Sequence, residues 1–346
     1  MASSTTPRIT VLGSLNIDLV AYVSHHPLPG ETMTANSVAV SPGGKGANQA
    51  VACAKLSRSP HTAAAATSEE GETAHITMLG TVGADSYGTL LRDNLAKHGV
   101  DVSGVQVLHE APNNKTGMAM IVVDEPTGQN RIILSPEANH FLQPEHVADV
   151  SSLSAAGQQK PDLLIMQLEI PVPTVLQALK TAKENGVQVL LNPAPAVPLP
   201  DKAFAGLAHL VVNETEAAIL AGGLEESVLD TEAGLEEVGK VFLGKGVETV
   251  IVTLGGRGVF YMTTTGEGGS SSKKKGLVKA EKAKVVDTTA AGDTFVGMYA
   301  LEVVTAAKRG EQFDIEGAVR KANKAAAKTV ERAGAQDSIP WRDELL

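Results

Sequence analysis

Runs of consecutive apolar residues alternate with amphipathic stretches along most of the chain. The first run extends from Ile9 to Gly13, and from Pro161 onward helix-like segments such as PTVLQALKTAKENG separate the runs DLLIMQLE, VQVLLNPAP, HLVVNE and VETVIVTLG. Strands that are apolar without alternation, and that follow one another with helices between them, are typical of a parallel sheet covered on both faces. The pattern predicts an α/β fold with a central, mostly parallel sheet flanked by helices, and ligands at the carboxyl ends of its strands.

Two segments depart from this pattern. After the first strand, Ser14, Asn16 and Asp18 alternate with leucine and isoleucine, so their polar side chains share one face of an extended segment. Residues 102–134 contain repeated extended runs separated by Asn-Asn and Thr-Gly turns, which is typical of a small antiparallel sheet. We therefore expect a second, smaller sheet in addition to the main one.

Two low-complexity stretches interrupt the regular pattern. Residues 58–74 (RSPHTAAAATSEEGETA) and residues 264–275 (TTGEGGSSSKKK) show little apolar periodicity, and we interpret both as surface insertions. The lysine triplet in the second stretch can also be interpreted as a localisation signal that gives access to the nucleus, but a solvated loop is the better interpretation.

Composition and charge narrow the classes of function. The chain has 39 acidic against 29 basic residues and a formal net charge of −10, so it lacks the basic excess of a nucleic-acid-binding surface. Its single cysteine, Cys53, excludes an internal disulfide and suits a reduced compartment. No apolar run approaches the ~20 residues of a membrane-spanning helix, and the N-terminus does not resemble a signal peptide. We expect a cytoplasmic protein with neither a nucleic-acid nor a membrane partner.

The strongest chemical signal is the segment DTTAAGDTF, residues 287–295, which opens a helix. The small residues Ala290, Ala291 and Gly292 let a ligand approach the backbone, and the N–H groups and dipole of a helix N-terminus favour an anion such as a phosphoryl group. Asp293 then stands where it can accept a proton from an attacking hydroxyl. The alternative is that Asp293 only caps the helix.

A second glycine cluster, SPGGKGANQA, also opens a helix. It is not a Walker loop, because Lys45 precedes the last glycine, and it is not a dinucleotide-binding G-x-G-x-x-G motif. Its backbone amides, Lys45 and Asn48 suit a ligand that carries many hydroxyl groups. A tight strand-to-helix turn is the alternative, but the presence of Asn16 and Asp18 on one strand face favours a sugar pocket.

Two further polar segments follow predicted strands. Asn213 and Glu216 in NETE match a capping box, and the alternative places Asn213 near the triphosphate of a nucleotide and Glu216 on a water of a magnesium ion. The segment TLGGRG, residues 253–258, lies between two apolar strands and forms either a hairpin or a turn around the nucleotide.

Taken together and in order, these motifs resemble the phosphofructokinase-B family of carbohydrate kinases from about Arg8 to Trp341, with GGKGANQA, NPAPA, NETEA, TLGGRG and DTTAAGDTF. The resemblance implies a single ribokinase-like α/β domain over residues 1–346, with a small β-sheet lid formed by residues 15–41 and 102–134. It also implies a homodimer, because the lids of two subunits pack together in relatives. The implied reaction is ATP-dependent phosphorylation of D-ribose at its 5-hydroxyl, with Mg²⁺ and with K⁺ as a monovalent activator.

The resemblance implies a role for each matching residue. Asp293 becomes the catalytic base, and the amides of Ala290, Ala291, Gly292 and Asp293 become the anion hole. The residues implied in sugar binding are Asn16, Asp18, Gly44, Lys45, Gly46, Asn48, Glu169 and Asp293. Those implied in ATP binding are Asn213, Glu216, Thr253, Gly255, Gly256, Arg257, Gly258, Gly292 and Asn323. The implied potassium site consists largely of backbone carbonyls, with the hydroxyl of the last residue, from Asp287, Thr289, Thr329, Arg332, Gly334 and Ser338.

One position departs from the family pattern. Glu137 in SPEAN stands where relatives usually have glycine, which puts the conformation of this turn in question.

Several other functions stay open at this point. The nearest is a kinase of the same fold that acts on fructose, 2-deoxyribose, adenosine or pseudouridine. GGKGANQA with Asn16 and Asp18 favours ribose, because several hydroxyls must be recognised at once. A non-catalytic sugar-binding regulator is disfavoured by the intact Gly292–Asp293 pair, and a nicotinamide dehydrogenase by the missing G-x-G-x-x-G motif.

Overall fold

The computed structural model describes residues 6–60, 72–110, 115–264 and 274–346. Most of both interpreted insertions therefore lies outside the described residues.

The described ends of the two insertions belong to the fold. Arg58 is buried and forms an ion pair with Glu72. Lys274 and Lys275 are the first residues of a strand, Lys274–Val278, and Lys275 pairs with Glu236. The interpretation of these two lysines as part of a loop is wrong, because the cross-strand pairing of their backbones was not visible in the low-complexity pattern.

The strands alternate with helices in the predicted way. The strands of the described residues are β1 (Arg8–Leu12), β2 (Asn16–Val23), β3 (Ser37–Gly43), β4 (His75–Gly83), β5 (Val105–Leu108), β6 (Gly117–Asp124), β7 (Asn130–Ser135), β8 (Leu163–Met166), β9 (Gln188–Leu191), β10 (His209–Asn213), β11 (Thr249–Thr253), β12 (Val259–Thr263) and β13 (Lys274–Val278). Their α-helices are α1 (Lys45–Ser57), α2 (Ser86–Lys97), α3 (Val172–Glu184), α4 (Glu214–Leu220), α5 (Glu232–Gly244), α6 (Ala291–Arg309) and α7 (Ile315–Val330). Short 3-10 turns occupy Glu137–Phe141, Pro144–Val147, Val150–Leu153, Asp201–Ala203, Glu226–Asp230, Gly255–Arg257 and Arg342–Leu345.

Within the described residues the large sheet has nine strands in the order β13-β12-β11-β10-β9-β8-β1-β4-β5. The strands from β11 to β5 in this order are parallel, and β12 and β13 run antiparallel at one edge. Both faces are covered, because alternate residues such as Val11 and Leu12 enter two separate apolar clusters. Helices α1, α2, α6 and α7 contribute to one cluster, and α3, α4 and α5 contribute to the other. The predicted α/β fold with a mostly parallel, doubly covered sheet is confirmed.

The order of the strands reverses at β1, which lies between β4 and β8. The chain proceeds from β4 to β5 on one side of β1 and from β8 to β11 on the other side. Two neighbouring connections leave the sheet in opposite directions at such a point, and a crevice opens at the carboxyl ends of the strands. Ser14 follows β1 and Glu169 follows β8, so both residues stand at this crevice.

The predicted second sheet is present, with the order β3-β2-β6-β7. The strands β6 and β7 are antiparallel, as the pattern of residues 102–134 predicted. The central pair, β2 and β6, is parallel, which the pattern did not predict. The first strand of the 102–134 segment, Val105–Leu108, pairs with β4 in the large sheet instead. The alternation of apolar and polar residues predicts an extended segment but does not specify the strand it pairs with. For this reason the sequence pattern placed Val105–Leu108 in the small sheet together with β6 and β7.

Glu137 adopts a backbone conformation that favours glycine. Its φ is 45°, which places it in the left-handed region, and its carboxylate accepts a hydrogen bond of 2.9 Å from the Ser135 hydroxyl. A side chain in this region costs ~1–2 kcal/mol, which glycine avoids. The turn is therefore formed with local strain at Glu137.

We expect Glu137→Gly to raise the free energy of unfolding by about 1 kcal/mol, because the relief of strain exceeds the entropy that glycine loses on folding. Glu137→Ala is the matched control, since alanine keeps the strain and loses the Ser135 contact. Chemical denaturation of the three proteins measures the difference. A Glu137→Gly protein no more stable than Glu137→Ala would contradict this explanation.

Candidate active site

Asp293 lies in the first turn of α6, at the end of the helix that faces the crevice. The helix starts after Ala290, which has a left-handed φ of 60°, and it has no side-chain cap. Asp293 is the third residue of the helix and is 7% exposed. Its carboxylate does not bond the N–H groups of its own helix N-terminus, so the interpretation of Asp293 as a capping residue is wrong. No side chain occupies the N-terminus of α6, and its role as an anion hole stays a prediction.

Two consecutive amide side chains of α1 hold the Asp293 carboxylate. Nδ2 of Asn48 donates to Oδ2 at 3.0 Å, and Nε2 of Gln49 donates to Oδ1 at 2.9 Å. One acceptor position on each oxygen is used in this way, and the remaining lone pairs are available to a substrate hydroxyl.

Glu169 organises the residues that follow β1. Its Oε2 accepts from the Ser14 hydroxyl at 2.5 Å, from the backbone N–H of Lys45 at 3.0 Å and from Nδ2 of Asn16 at 3.5 Å. The amide of Asn139 fixes the same segment, since it bonds both the N–H and the carbonyl of Leu15. The chain brings these polar groups to one corner although they come from distant parts of the sequence.

Two glycines let the start of α1 lie against the end of β1. Gly44 has a φ of 86°, and a Cβ atom there would stand 2.7 Å from the Asn16 backbone nitrogen. A Cβ on Gly46 would stand 2.6 Å from backbone atoms of Gly13 and Ser14. Any larger residue at these positions would push the helix away from the strand. The predicted tight strand-to-helix turn is therefore confirmed, and the sugar pocket stays a prediction.

The charges at the crevice interact strongly. Burial, Glu169 and Asp293 raise the pKa of Asp18 to about 7, although Lys45 opposes the shift. Burial alone would lower the pKa of Lys45, but Asp293, Glu169, Glu216 and Asp18 together raise it. One cationic side chain thus faces several carboxylates, and the residues predicted for the sugar and for catalysis share one electrostatic environment.

Asn213 and Glu216 form the predicted capping box at the start of α4. Glu216 N–H donates to Oδ1 of Asn213 at 2.8 Å, and Asn213 N–H donates to Oε2 of Glu216 at 2.9 Å. Burial raises the pKa of Glu216, while the Asn213 N–H and Lys45 oppose the shift. The structural interpretation is confirmed, and it leaves the other carboxylate oxygen of Glu216 outside the capping box.

The segment TLGGRG forms the hairpin between β11 and β12, with a 3-10 turn at Gly255–Arg257. Arg257 forms an ion pair with Glu214 and donates to the Leu229 carbonyl at 3.0 Å. Asn323 in α7 donates to the carbonyl of Lys279 at 3.2 Å. The TLGGRG turn and the Asn213 cap follow neighbouring strands, so they lie at the same edge of the sheet as the rest of the site.

The residues predicted for potassium come from two segments that the fold joins. Oδ1 of Asp287 accepts from the N–H and hydroxyl of Thr289, at 2.9 and 2.7 Å, and Oδ2 accepts from the N–H of Gly334 at 2.9 Å. Thr329 bonds Thr294 of α6 at 2.9 Å. The Ser338 hydroxyl donates to the carbonyl of Ala335 and keeps its lone pairs.

Several amides that surround the site were not predicted from the sequence. Gln49 is next to Asn48 in a motif already singled out, so its position near the start of α1 was a usable signal. Asn139 lies in the SPEAN turn, and Gln167 ends the run before Glu169. Gln336 carries no local signal, because it lies in an irregular segment and reaches Asn48 only through the fold.

Comparison with known proteins gives the family. Residues 6–342 match the model of the pfkB family carbohydrate kinases. A ribokinase of Schizosaccharomyces pombe is 41% identical over 341 residues, which cover 96% of this chain and 95% of the relative. The ribokinase structure from Thermotoga maritima is 37% identical, covers 97% of each chain and has a TM-score of 0.76. The structure of Arabidopsis thaliana ribokinase complexed with ribose and ATP is 28% identical, covers 99% of this chain and 98% of that chain, and has a TM-score of 0.77.

None of the helices in the described residues combines the length and the apolarity that a membrane crossing needs. The family model spans nearly the whole chain, and the large and the small sheet are both present. The chain belongs to the pfkB family of carbohydrate kinases.

Proposed function

We propose that this protein transfers the γ-phosphoryl group of ATP to the 5-hydroxyl of D-ribose and releases D-ribose 5-phosphate and ADP. The main support for the proposal is the position of the Asp293 carboxylate. Two amide side chains hold it at the N-terminus of α6, beside the hydrogen-bonded pair of Ser14 and Glu169. Similarity to ribokinases over nearly the whole chain supports ribose as the sugar, and one of the similar structures is that of a ribokinase complexed with ribose and ATP.

In the proposed reaction Asp293 accepts the proton of the 5-hydroxyl while the hydroxyl oxygen attacks the γ-phosphorus. The bond between that phosphorus and the β,γ-bridging oxygen breaks, and ADP leaves with the bond's electron pair. The N–H groups of Ala290, Ala291, Gly292 and Asp293 stabilise the negative charge on the transferring group. The proton leaves late in such a transition state, so the orientation of Asp293 matters more than its basicity.

The sugar-binding residues would be Glu169, the residues that follow β1 and those in the first turn of α1. The proposed set is Asn16, Asp18, Gly44, Lys45, Gly46, Asn48 and Glu169. Carboxylates and amides of this kind recognise the donors and acceptors of several hydroxyl groups at once. The small sheet would act as a lid over them, since Asn16 and Asp18 belong to its strand β2.

ATP would lie along the carboxyl ends of β10 and β11. The proposed contacts are Asn213, Glu216, Thr253, Gly255, Gly256, Arg257, Gly258, Gly292 and Asn323. Oxygen ligands are those that Mg²⁺ prefers, and the Glu216 oxygen outside the capping box fits an interaction with a water of its shell. Bound with ATP, Mg²⁺ neutralises part of the phosphate charge.

The potassium site would join the loop before α6 to the segment after α7. The ligands would be largely backbone carbonyls, with the hydroxyl of the last residue, from Asp287, Thr289, Thr329, Arg332, Gly334 and Ser338, and such oxygens fit a hard monovalent cation. When bound there, K⁺ supplies positive charge behind the anion hole. The chain's own contribution is the Asp287 carboxylate, which holds the two segments together through Thr289 and Gly334.

The small sheet would also form a homodimer in the cytoplasm. It carries exposed apolar side chains, among them Val38 (67% exposed), Val40, Ile132 and Ile133 (63% exposed). An apolar patch of this kind on a single chain marks an interaction surface. The lid of a second copy is the occupant that the family resemblance implies.

The test of the proposed function is ADP release from ATP and Mg²⁺ with ribose, 2-deoxyribose, fructose or adenosine, each with and without K⁺. We expect the highest kcat/KM with ribose and an increase on addition of K⁺. A higher kcat/KM with another acceptor would keep the kinase reaction and reject the substrate. Ribose binding without turnover on any acceptor would favour a sugar-binding regulator.

Asp18 offers a test in which stability and affinity change in opposite directions. We expect Asp18→Asn to raise the KM for ribose roughly 10–100-fold, the value of a hydrogen bond to a charged group. Because the folded pKa of Asp18 is about 7 and lies above its unfolded value, the charged form opposes folding. Asp18→Asn should therefore raise the thermal midpoint at pH 8, and this gain should shrink as the pH falls from 7 towards 4. An equal midpoint shift at both ends of this range would contradict the electrostatic explanation.

A further inference from the structure

A series of amide side chains connects helix α2 to Asp293. Gln336 is 3% exposed, and its Nε2 donates to Oδ1 of Asn48 at 3.0 Å while its Oε1 accepts from Nδ2 of Asn94 at 2.6 Å. Asn48 in turn donates to Asp293 at 3.0 Å. Nζ of Lys55 donates to the Gln336 carbonyl at 3.2 Å and fixes its backbone to α1. We call Asn94, Gln336 and Asn48 the amide relay.

The direction of every bond in the amide relay follows from the carboxylate at its end. An ionised carboxylate only accepts, so Asn48 must turn its nitrogen towards Asp293 and its oxygen towards Gln336. Gln336 must then present its nitrogen to Asn48 and its oxygen to Asn94. A carboxamide donates on one arm and accepts on the other, so a reversal at one end of the relay reverses each member in turn.

A second branch shows the same alternation on the other carboxylate oxygen. Gln49 donates to Oδ1 of Asp293 at 2.9 Å and to Oδ1 of Asn192 at 3.0 Å. Its own oxygen accepts from Nε2 of Gln167 at 2.5 Å. Both branches thus present donors to Asp293, and each is oriented by an amide that does not touch Asp293.

We infer that Gln336 and Asn94 are positioning residues for Asp293, which act by keeping Asn48 in the orientation that donates to the carboxylate. The inference rests on the proposed role of Asp293 as the base. With Asn48 reversed, an amide oxygen would face Oδ2 of Asp293, and the repulsion would turn the carboxylate away from the acceptor hydroxyl. The effect would fall on kcat rather than on ATP binding, because the relay lies on the side of Asp293 that faces α1 and α2.

The test compares an acceptor with an apolar group at two positions of the relay, Asn94 and Gln336. The carboxylate that Asn94→Asp introduces cannot donate to Gln336, so this substitution favours reversal of the relay, whereas Asn94→Leu removes one bond without favouring reversal. We expect Asn94→Asp to lower kcat about tenfold and Asn94→Leu no more than about threefold, both with an unchanged KM for ATP. Gln336→Glu and Gln336→Met form a second pair, in which the new carboxylate faces Asn48 directly and should again be the more harmful substitution.

A double-substitution cycle separates this mechanism from a loss of stability. Gln336→Met interrupts the relay, so Asn94→Asp should have no further effect on kcat in that background. Thermal midpoints check that each variant is folded. If Asn94→Asp and Asn94→Leu lower kcat equally, or if Asn94→Asp has its full effect beside Gln336→Met, the inference is wrong. Wild-type kcat in Asp293→Asn would instead reject the proposed function on which it rests.

Discussion

We expect Asp293→Asn to lose roughly 1,000-fold in kcat while it still binds ATP, because the proposed base is removed and the nucleotide contacts are not. The variant keeps the shape of the side chain, but its amide meets donors on both sides. Asn48 and Gln49 both present N–H groups to position 293, so one of them will face the new amide nitrogen. A modest loss of stability, about 1–2 kcal/mol, should accompany the loss of turnover.

Calorimetric titration with ATP and a thermal scan separate these effects. Asp293→Ala is the matched variant, since it also removes the base but leaves no amide nitrogen against the two donors. Both variants should lose kcat to a similar extent. The thermal scan should show, for Asp293→Asn alone, a loss of stability that comes from repulsion between its amide nitrogen and the facing donor. Turnover within tenfold of wild type in either folded variant would remove Asp293 from its proposed role.

The second large effect is expected at Gly297, where α6 crosses α1. A Cβ atom on Gly297 would stand 2.6 Å from Cβ of Ala52 and 2.9 Å from the backbone nitrogen of Cys53. These neighbours belong to a buried helix, so they cannot move aside without displacing α1. We expect Gly297→Ala to lower the free energy of unfolding by about 2–3 kcal/mol, as other overpacked cores do. It should also lower kcat, because the crossing sets the distance between Asn48 and Asp293.

Gly244 provides a control of opposite sign. It is the last residue of α5, and a Cβ atom there would have no neighbour within 4 Å among the described residues. Gly244→Ala should therefore raise stability by ~0.5–1 kcal/mol through helix propensity. Denaturation midpoints and kcat of the two variants measure the difference. A Gly297→Ala protein as stable as Gly244→Ala would show that the crossing tolerates a methyl group.

The regular alternation of strands and helices made the large sheet predictable. Runs such as DLLIMQLE have few polar interruptions, and only a strand covered on both faces buries such a run fully. Glycines 44 and 46 gave the position of α1 for a similar reason, since a close backbone approach leaves no choice of residue. The strands of the large sheet and the start of α1 were therefore predictable, because each depends on a pattern within one short segment.

Pairings over long distances were not predictable in the same way. Val105–Leu108 reads as an extended segment wherever it pairs, and the sequence does not state that β4 is its partner. Gln336 reaches Asn48 through a hydrogen bond between residues far apart in the chain, and its local segment has neither periodicity nor a motif. The amide relay is therefore visible only in the fold.

The position of the transferred phosphoryl group tests the proposed function most directly. Phosphorus NMR of the product formed from ribose, ATP and Mg²⁺ distinguishes the carbons, because a phosphate on C5 couples to two protons and a phosphate on C1 couples to one. We expect one new phosphate ester signal split into a triplet, together with an equal amount of ADP. A doublet from a phosphate on C1, or ADP without a sugar phosphate, would contradict the proposed function.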